Sequence, residues 1–173
     1  MILVNNENPK EHWQFVSVNN RIVLDLGCGR WEHVEYRDQT WPTTPEFFKN
    51  KGAKLIIGLD SDDNEIEWFS KNFANNDSYK FISRSIDSSE ILKELIISYT
   101  PNCVKVDIEG GEIHLVNLDD DTFNLVDEYY IETHDKNLFD LCEKKLKNNN
   151  YTIVNLIDLV HTGGACKVIF AKK

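Results

Sequence analysis

Short apolar runs rich in β-branched residues alternate along this chain with longer segments whose apolar positions recur every three or four residues. The first run, Ile22-Val23-Leu24 continued by Leu26, leads directly into Gly27-Cys28-Gly29. Its length and composition predict a strand covered on both faces, as in a parallel sheet. Leu55 to Leu59, Tyr79 to Ser83, Val104 to Ile108 and Val126 to Thr133 predict four more. Between and after them, helical spacing joins Ile66, Phe69 and Phe73, then Ile91, Leu92, Leu95 and Ile96, then Ile113, Leu115, Val116 and Leu118, and finally Leu138, Leu141, Cys142 and Leu146. Thr44 reads as an N-cap with Pro45 at the first helical position, opening a short helix that buries Phe47 and Phe48 and stops near Gly52. Ser61 or Asp62 and, later, Asp135 cap the helices that follow them, and Asn148 to Asn150 end the last one.

Two final strand-like runs, Tyr151 to Val160 and Cys166 to Ala171, flank His161-Thr162-Gly163-Gly164. That short connection predicts a hairpin and an antiparallel last strand. Strand and helix therefore alternate about five times before the hairpin, which predicts an α/β fold: a mostly parallel sheet of about seven strands, helices on both faces and right-handed crossovers. Residues 1–20 read as an N-terminal extension, with a short helix over Lys10 to Val18 that carries Trp13, and residues 21–173 as one domain. The apolar start Ile2 to Val4 is far too short for a signal peptide or a membrane span.

Charge narrows the partners. With 29 acidic against 19 basic residues the net charge is −10, which argues against a protein that grips a nucleic-acid backbone through clustered Lys and Arg. The densest lysine group, Lys144, Lys145 and Lys147, sits beside Asp140 and Glu143 and fits a solvated helix face. Cys28, Cys103, Cys142 and Cys166 show no C-x-x-C pair, and they read as free thiols of a cytoplasmic protein.

Candidate chemistry gathers at the predicted strand ends, where open α/β sheets bind ligands. Asp25 interrupts the first apolar run, and a buried carboxylate must find donors or face a ligand. Gly27 and Gly29 permit positive φ and close backbone approach to a bound molecule. Asp60 ends the second strand, where a carboxylate can accept both hydroxyls of a ribose; helix capping is the competing role, but Ser61 and Asp62 already provide for it. Ser85, Ile86 and Asp87 follow the third strand and can touch an adenine, although Asp87 serves equally well as an N-cap. In Val104-Lys105-Val106-Asp107-Ile108-Glu109-Gly110-Gly111-Glu112, Asp107 and Glu109 are two apart, which in an extended strand puts both on one face. The fifth strand ends in Ile131-Glu132-Thr133-His134. The polar, aromatic loop Trp31 to Trp41, with His33, Tyr36 and Arg37, and the connection His161 to Ala165 are candidate acceptor-binding segments. A dinucleotide fingerprint fits less well, because Glu32 stands where a third glycine is wanted.

The Asp-x-Gly-x-Gly run resembles the first motif of class I S-adenosylmethionine-dependent methyltransferases. Lys105 to Glu112 and Ile131-Glu132-Thr133-His134 are similar to the fourth- and fifth-strand signatures of their FkbM-type family, and the likeness runs from about Arg21 to His134. It implies a Rossmann-like sheet with the last strand inserted beside the fifth, and methyl transfer from S-adenosylmethionine to a hydroxyl of a sugar or other small molecule. By position it implies that Asp25, Gly27, Gly29, Asp60, Ser61, Ile86 and Asp87 hold the cofactor. Asp107 and Glu109 then border the reacting groups. His134 is the first choice of general base, because its ordinary pKa suits that role near neutral pH, and Asp107 the second. His134 also reads as a hydrogen-bonded strand-end residue, and Asp107, Glu109, Glu132 and His134 together can bind a divalent cation that orients the acceptor. Trp31 stands where the family usually has a third glycine, and the segment before the first strand is short; both suit the alternative of a non-catalytic cofactor-binding or interaction module on the same fold.

Overall fold

In the computed structural model of the chain the described residues are 2–4, 8–30, 41–163 and 166–173. Trp31, His33, Tyr36 and Arg37, and likewise Gly164 and Ala165, lie outside them. The apolar runs become strands of a single sheet: β1 (Ile2–Val4), β2 (Ile22–Leu26), β3 (Leu55–Asp60), β4 (Tyr79–Ser83), β5 (Cys103–Val106), β6 (Glu128–Thr133), β7 (Thr152–Leu159) and β8 (Lys167–Lys172). Their order is β1-β7-β8-β6-β5-β2-β3-β4. β8 runs antiparallel between β6 and β7, and the other neighbouring pairs are parallel. The sheet thus has the expected direction and the expected inserted last strand, with eight strands among the described residues in place of about seven.

The additional strand is Ile2–Val4, which pairs in parallel with β7 through Ile2 opposite Ile157. Three residues are too few for a period to show, so its pairing could not be read from the run itself. The helices are α1 (Pro9–His12), α2 (Thr44–Asn50), α3 (Asp63–Asn72), α4 (Ser89–Tyr99), α5 (Ile113–Val116), α6 (Asp120–Phe123) and α7 (Lys136–Asn148). Thr43, one residue before the predicted cap, closes a capping box with Glu46 at the start of α2. Asp62 and Asp135 cap α3 and α7 as expected.

Strand alternation divides the core into two layers. Leu24, Leu26, Val104, Val106 and Ile131 point to one face, where they pack against Leu92, Leu95, Leu115, Cys142 and Leu146 of the helices. Val23, Ile56, Cys103, Tyr130 and Phe170 point to the other, under Trp13, Phe47 and Phe48. The N-terminal segment therefore belongs to the second layer. Trp13 is 2% exposed and meets Phe170 edge-on at 6.4 Å. We expect Trp13→Ala to lower stability in urea denaturation by about 3–5 kcal/mol, as for other fully buried large aromatics; a loss below about 1 kcal/mol, ordinary for a surface substitution, would mean that residues 1–20 only decorate the domain.

Candidate functional site

The strand order reverses between β5 and β2, and open α/β sheets take ligands at such a switch point, beyond the carboxyl ends of the strands. A cleft of about 170 Å³, open to solvent, lies there. Gly27 forms its floor, Leu59, Asp60 and Ser61 one wall, Arg84, Ser85 and Ile86 a second, and Asp107, Ile108 and Glu109 the third. Gly27 has φ +77°, and a Cβ on it would come within 1.8 Å of the Asp107 carbonyl oxygen, so no other residue fits without moving β5. The N–H groups of Gly27 and Cys28 both donate to the Leu59 carbonyl at 2.9 Å. Gly29 N–H donates to Asp60 Oδ2 at 2.9 Å, while Asp62 N–H donates to Oδ1 at 3.0 Å. Asp60 thus braces the glycine turn and still faces the cleft. Asp87 is exposed and outside the lining, and Ser88 rather than Asp87 caps α4.

Asp25 lies beneath the turn instead of in the cleft. It is fully buried, in register with Lys105 on β5, whose ammonium is 3.2 Å from Asp25 Oδ1 and 3.2 Å from Asp107 Oδ2. The same ammonium donates to the Gly27 carbonyl at 2.6 Å and the Leu26 carbonyl at 3.3 Å, and it sits 5.3 Å from the Trp13 ring centre. Burial pushes the Asp25 carboxyl up to about 6 against the pull of Lys105. For Lys105 burial acts to lower the pKa, but Asp107 and Asp25 outweigh it and keep the side chain charged.

β5 ends at Val106, so Asp107 and Glu109 do not share a strand face as expected. Asp107 N–H still donates to the Leu26 carbonyl, and the chain then turns through Glu109 at φ +50° and Gly110 at φ +95°. The turn achieves by another route the convergence that strand alternation was expected to give. His134, just beyond β6, places Nε2 3.6 Å from Asp107 Oδ1, 3.6 Å from Glu109 Oε2 and 4.0 Å from Glu132 Oε1. Its Nδ1 lies 3.0 Å from Oε1 of the fully buried Glu112, which also accepts from Ile108 N–H at 3.3 Å. Glu132 in turn is 3.7 Å from His12 Nδ1. Neither the role of Lys105 nor that of Glu112 is expected from the sequence, though both residues stand inside the motif it displays.

No family model matches the sequence, and no curated protein matches it. Solved structures do. A protein of the NADB-Rossmann superfamily from Streptococcus agalactiae superposes with a TM-score of 0.65 at 15% identity, over 99% of this chain and 70% of that one. An S-adenosylmethionine-dependent methyltransferase from Mesorhizobium loti gives 0.62 at 8% identity, over 96% and 99%. The M1A22 tRNA methyltransferase TrmK of B. subtilis gives 0.61 at 12% identity, over 98% and 66%. The chain has the class I methyltransferase fold. In this fold the glycine turn after β2 and Asp60 at the end of β3 occupy the switch point, and of the groups around His134 it is Asp107 and Glu109 that line the cleft.

The cluster sets the charge of His134. Burial alone would lower its pKa, but the Glu112 hydrogen bond and the charges of Asp107, Glu112 and Glu109 raise it to about 9. The imidazole is therefore a cation at neutral pH, and the ordinary pKa that recommended it as a general base does not hold here. Asp107, Glu109 and His134 each offer one ligand atom, all within 4.8 Å of one another. Glu132 falls in a separate set with His134 and Cys166 rather than joining the first three. A histidine whose pKa is raised by folding adds stability that is complete below its unfolded value near 6.5 and is lost as pH rises through about 9. The melting temperature of the wild type relative to His134→Gln should accordingly fall between pH 6.5 and 9.5 and level off below pH 6. A difference that is flat across this range would show that the carboxylates do not hold the proton.

Proposed function

We propose that the protein binds S-adenosylmethionine in the cleft and transfers its methyl group to a hydroxyl of a sugar or other small molecule, as its FkbM-like motifs suggest. The observation that carries this reading is Asp60, fixed by the Gly29 N–H at the switch point with its carboxylate lining the cleft. In this reading Asp60 accepts the ribose hydroxyls, the Gly27–Gly29 turn lies against the amino-acid portion, and Ser85 with Ile86 borders the adenine. The bound cofactor would supply the activated methyl group. Asp107 and Glu109 border the acceptor, and the proton that leaves its hydroxyl goes to Asp107, because His134 already carries one. His134 orients Asp107 and Glu109 from behind.

A small acceptor suits the charge better than RNA, although RNA is what the TrmK structure's name gives for that protein. The net charge is −10, two carboxylates rim the reacting end of the cleft, and Lys71, Lys93, Lys136, Lys145, Lys147 and Lys167 are each paired with Asp or Glu. Such a surface offers a phosphate backbone little to hold.

Calorimetric titration with S-adenosylhomocysteine should show micromolar-range binding. Asp60→Ala, which removes two charge-assisted hydrogen-bond acceptors, should weaken that binding by about 10–100-fold. Folded wild-type protein that takes up neither S-adenosylmethionine nor S-adenosylhomocysteine would end the reading; binding without transfer to any acceptor tried would favour the non-catalytic module.

A divalent cation at Asp107, Glu109 and His134 is a second reading, favoured by the three convergent ligand atoms and by Glu112, which fixes the ring of His134 from behind. Two carboxylates and an imidazole suit manganese or zinc better than magnesium, which prefers oxygen ligands throughout. Manganese should broaden the His134 ring resonances selectively, and Glu109→Gln should reduce the effect; no broadening of these resonances at millimolar manganese would exclude the site.

A further inference from the structure

A fully buried lysine is rare unless paired, and Lys105 is more than paired. Its one ammonium reaches across two strands and a turn. The Gly27 and Leu26 carbonyls belong to the turn at the floor of the cleft, Asp25 lies beneath that turn, and Asp107 stands on the opposite wall. A simple counter-ion for Asp25 would need none of the other three contacts. The turn also cannot relax independently, because Gly27 already fits closely against the Asp107 backbone.

We infer that Lys105 is a positioning residue that locks the cofactor turn and Asp107 into one rigid piece, so that cofactor binding at Gly27–Gly29 and the placement of Asp107 against the acceptor are coupled. The inference takes its functional meaning from the methyl-transfer reading above. Its mechanical content does not depend on that reading. The ammonium touches no bound molecule itself; it acts through two carbonyls on the cofactor side and one carboxylate on the acceptor side. The hydrophobic layer around Trp13 and Tyr130 keeps water from competing for those contacts.

The test uses a double variant, Asp25→Asn with Lys105→Met, which removes both fully buried charges and leaves Asp107 with His134 as its remaining partner. Its melting temperature, its affinity for S-adenosylhomocysteine and the hydrogen exchange of its turn amides are compared with the wild type. The lock predicts exchange at Gly27, Cys28 and Gly29 faster by at least about tenfold relative to Leu24 within β2, and cofactor affinity weaker by at least about tenfold. A lysine that only filled its place in the core would shift the melting temperature and leave both ratios unchanged, and that result overturns the inference. Should the double variant not fold, the wild type decides: the Lys105 ammonium resonance must be shielded from solvent exchange and must move when S-adenosylhomocysteine is added, and a resonance lost to rapid exchange or blind to the ligand overturns it. Wild-type protein that does not bind S-adenosylhomocysteine removes the methyl-transfer reading, whereas the exchange of the turn amides still decides whether the lock exists.

Discussion

One ammonium group in a dry layer fixes the geometry of this protein's cleft. Breaking a buried ion pair by removing one partner costs about 3–5 kcal/mol, a large part of the stability of an ordinary domain. That cost is the penalty of a charge left alone, so Asp25 and Lys105, opposite each other on β2 and β5, make a slip of register expensive without adding much net stability themselves. The turn that follows β2 has little freedom left, between the Lys105 ammonium on one side and the Asp107 carbonyl on the other. Every group that lines the floor and the far wall of the cleft is placed relative to that contact.

The second organising feature is an excess of carboxylates. Asp107, Glu109, Glu112 and Glu132 surround His134, and because Glu112 and Glu132 are buried their repulsion is costly unless a cation answers it. His134, whose pKa those carboxylates raise to about 9, supplies that charge at neutral pH. The same arrangement can accept a proton, a metal or a cationic group, and it disfavours an anionic acceptor. A cleft walled this way selects its partners by charge before it selects them by shape.

Much of the fold was legible because periodicity reports burial, and the motifs fell at strand ends because strands could be recognised. Asp60 and Ile86 line the cleft, where their positions after β3 and β4 pointed. Asp25 is the instructive failure of pattern reading. A carboxylate in an apolar run announces a partner, but nothing local says whether that partner is a ligand or a lysine about 80 residues away. Parallel register decides it, and register is a property of the assembled sheet. Asp107 and Glu109 were expected together on a strand face and meet instead through a turn with two positive φ values, a conformation that Gly110 hinted at and Glu109 did not. Glu112 could not be given a role in advance, because its partner arrives from β6. The capping residue of α2 was missed by one position, since Thr43 and Thr44 are chemically alike and only the reach to Glu46 separates them.

The place of β8 has a consequence for how the molecule comes into being. The last strand in chain order lies in the middle of the sheet, and among the described residues it is the strand whose backbone hydrogen bonds join β7 and β1 to β6 and the strands beyond. Ile2, near the beginning, finds its partner at Ile157. Until β8 arrives, β6 presents an open edge that carries Tyr129, Tyr130 and Ile131 side by side, and an unpaired edge is a template for another strand. Folding must therefore finish late and through contacts of long sequence separation, a slow route. During synthesis the residues that line the cleft emerge well before the strand that seals the sheet, so the edge of β6 is unpaired for that interval.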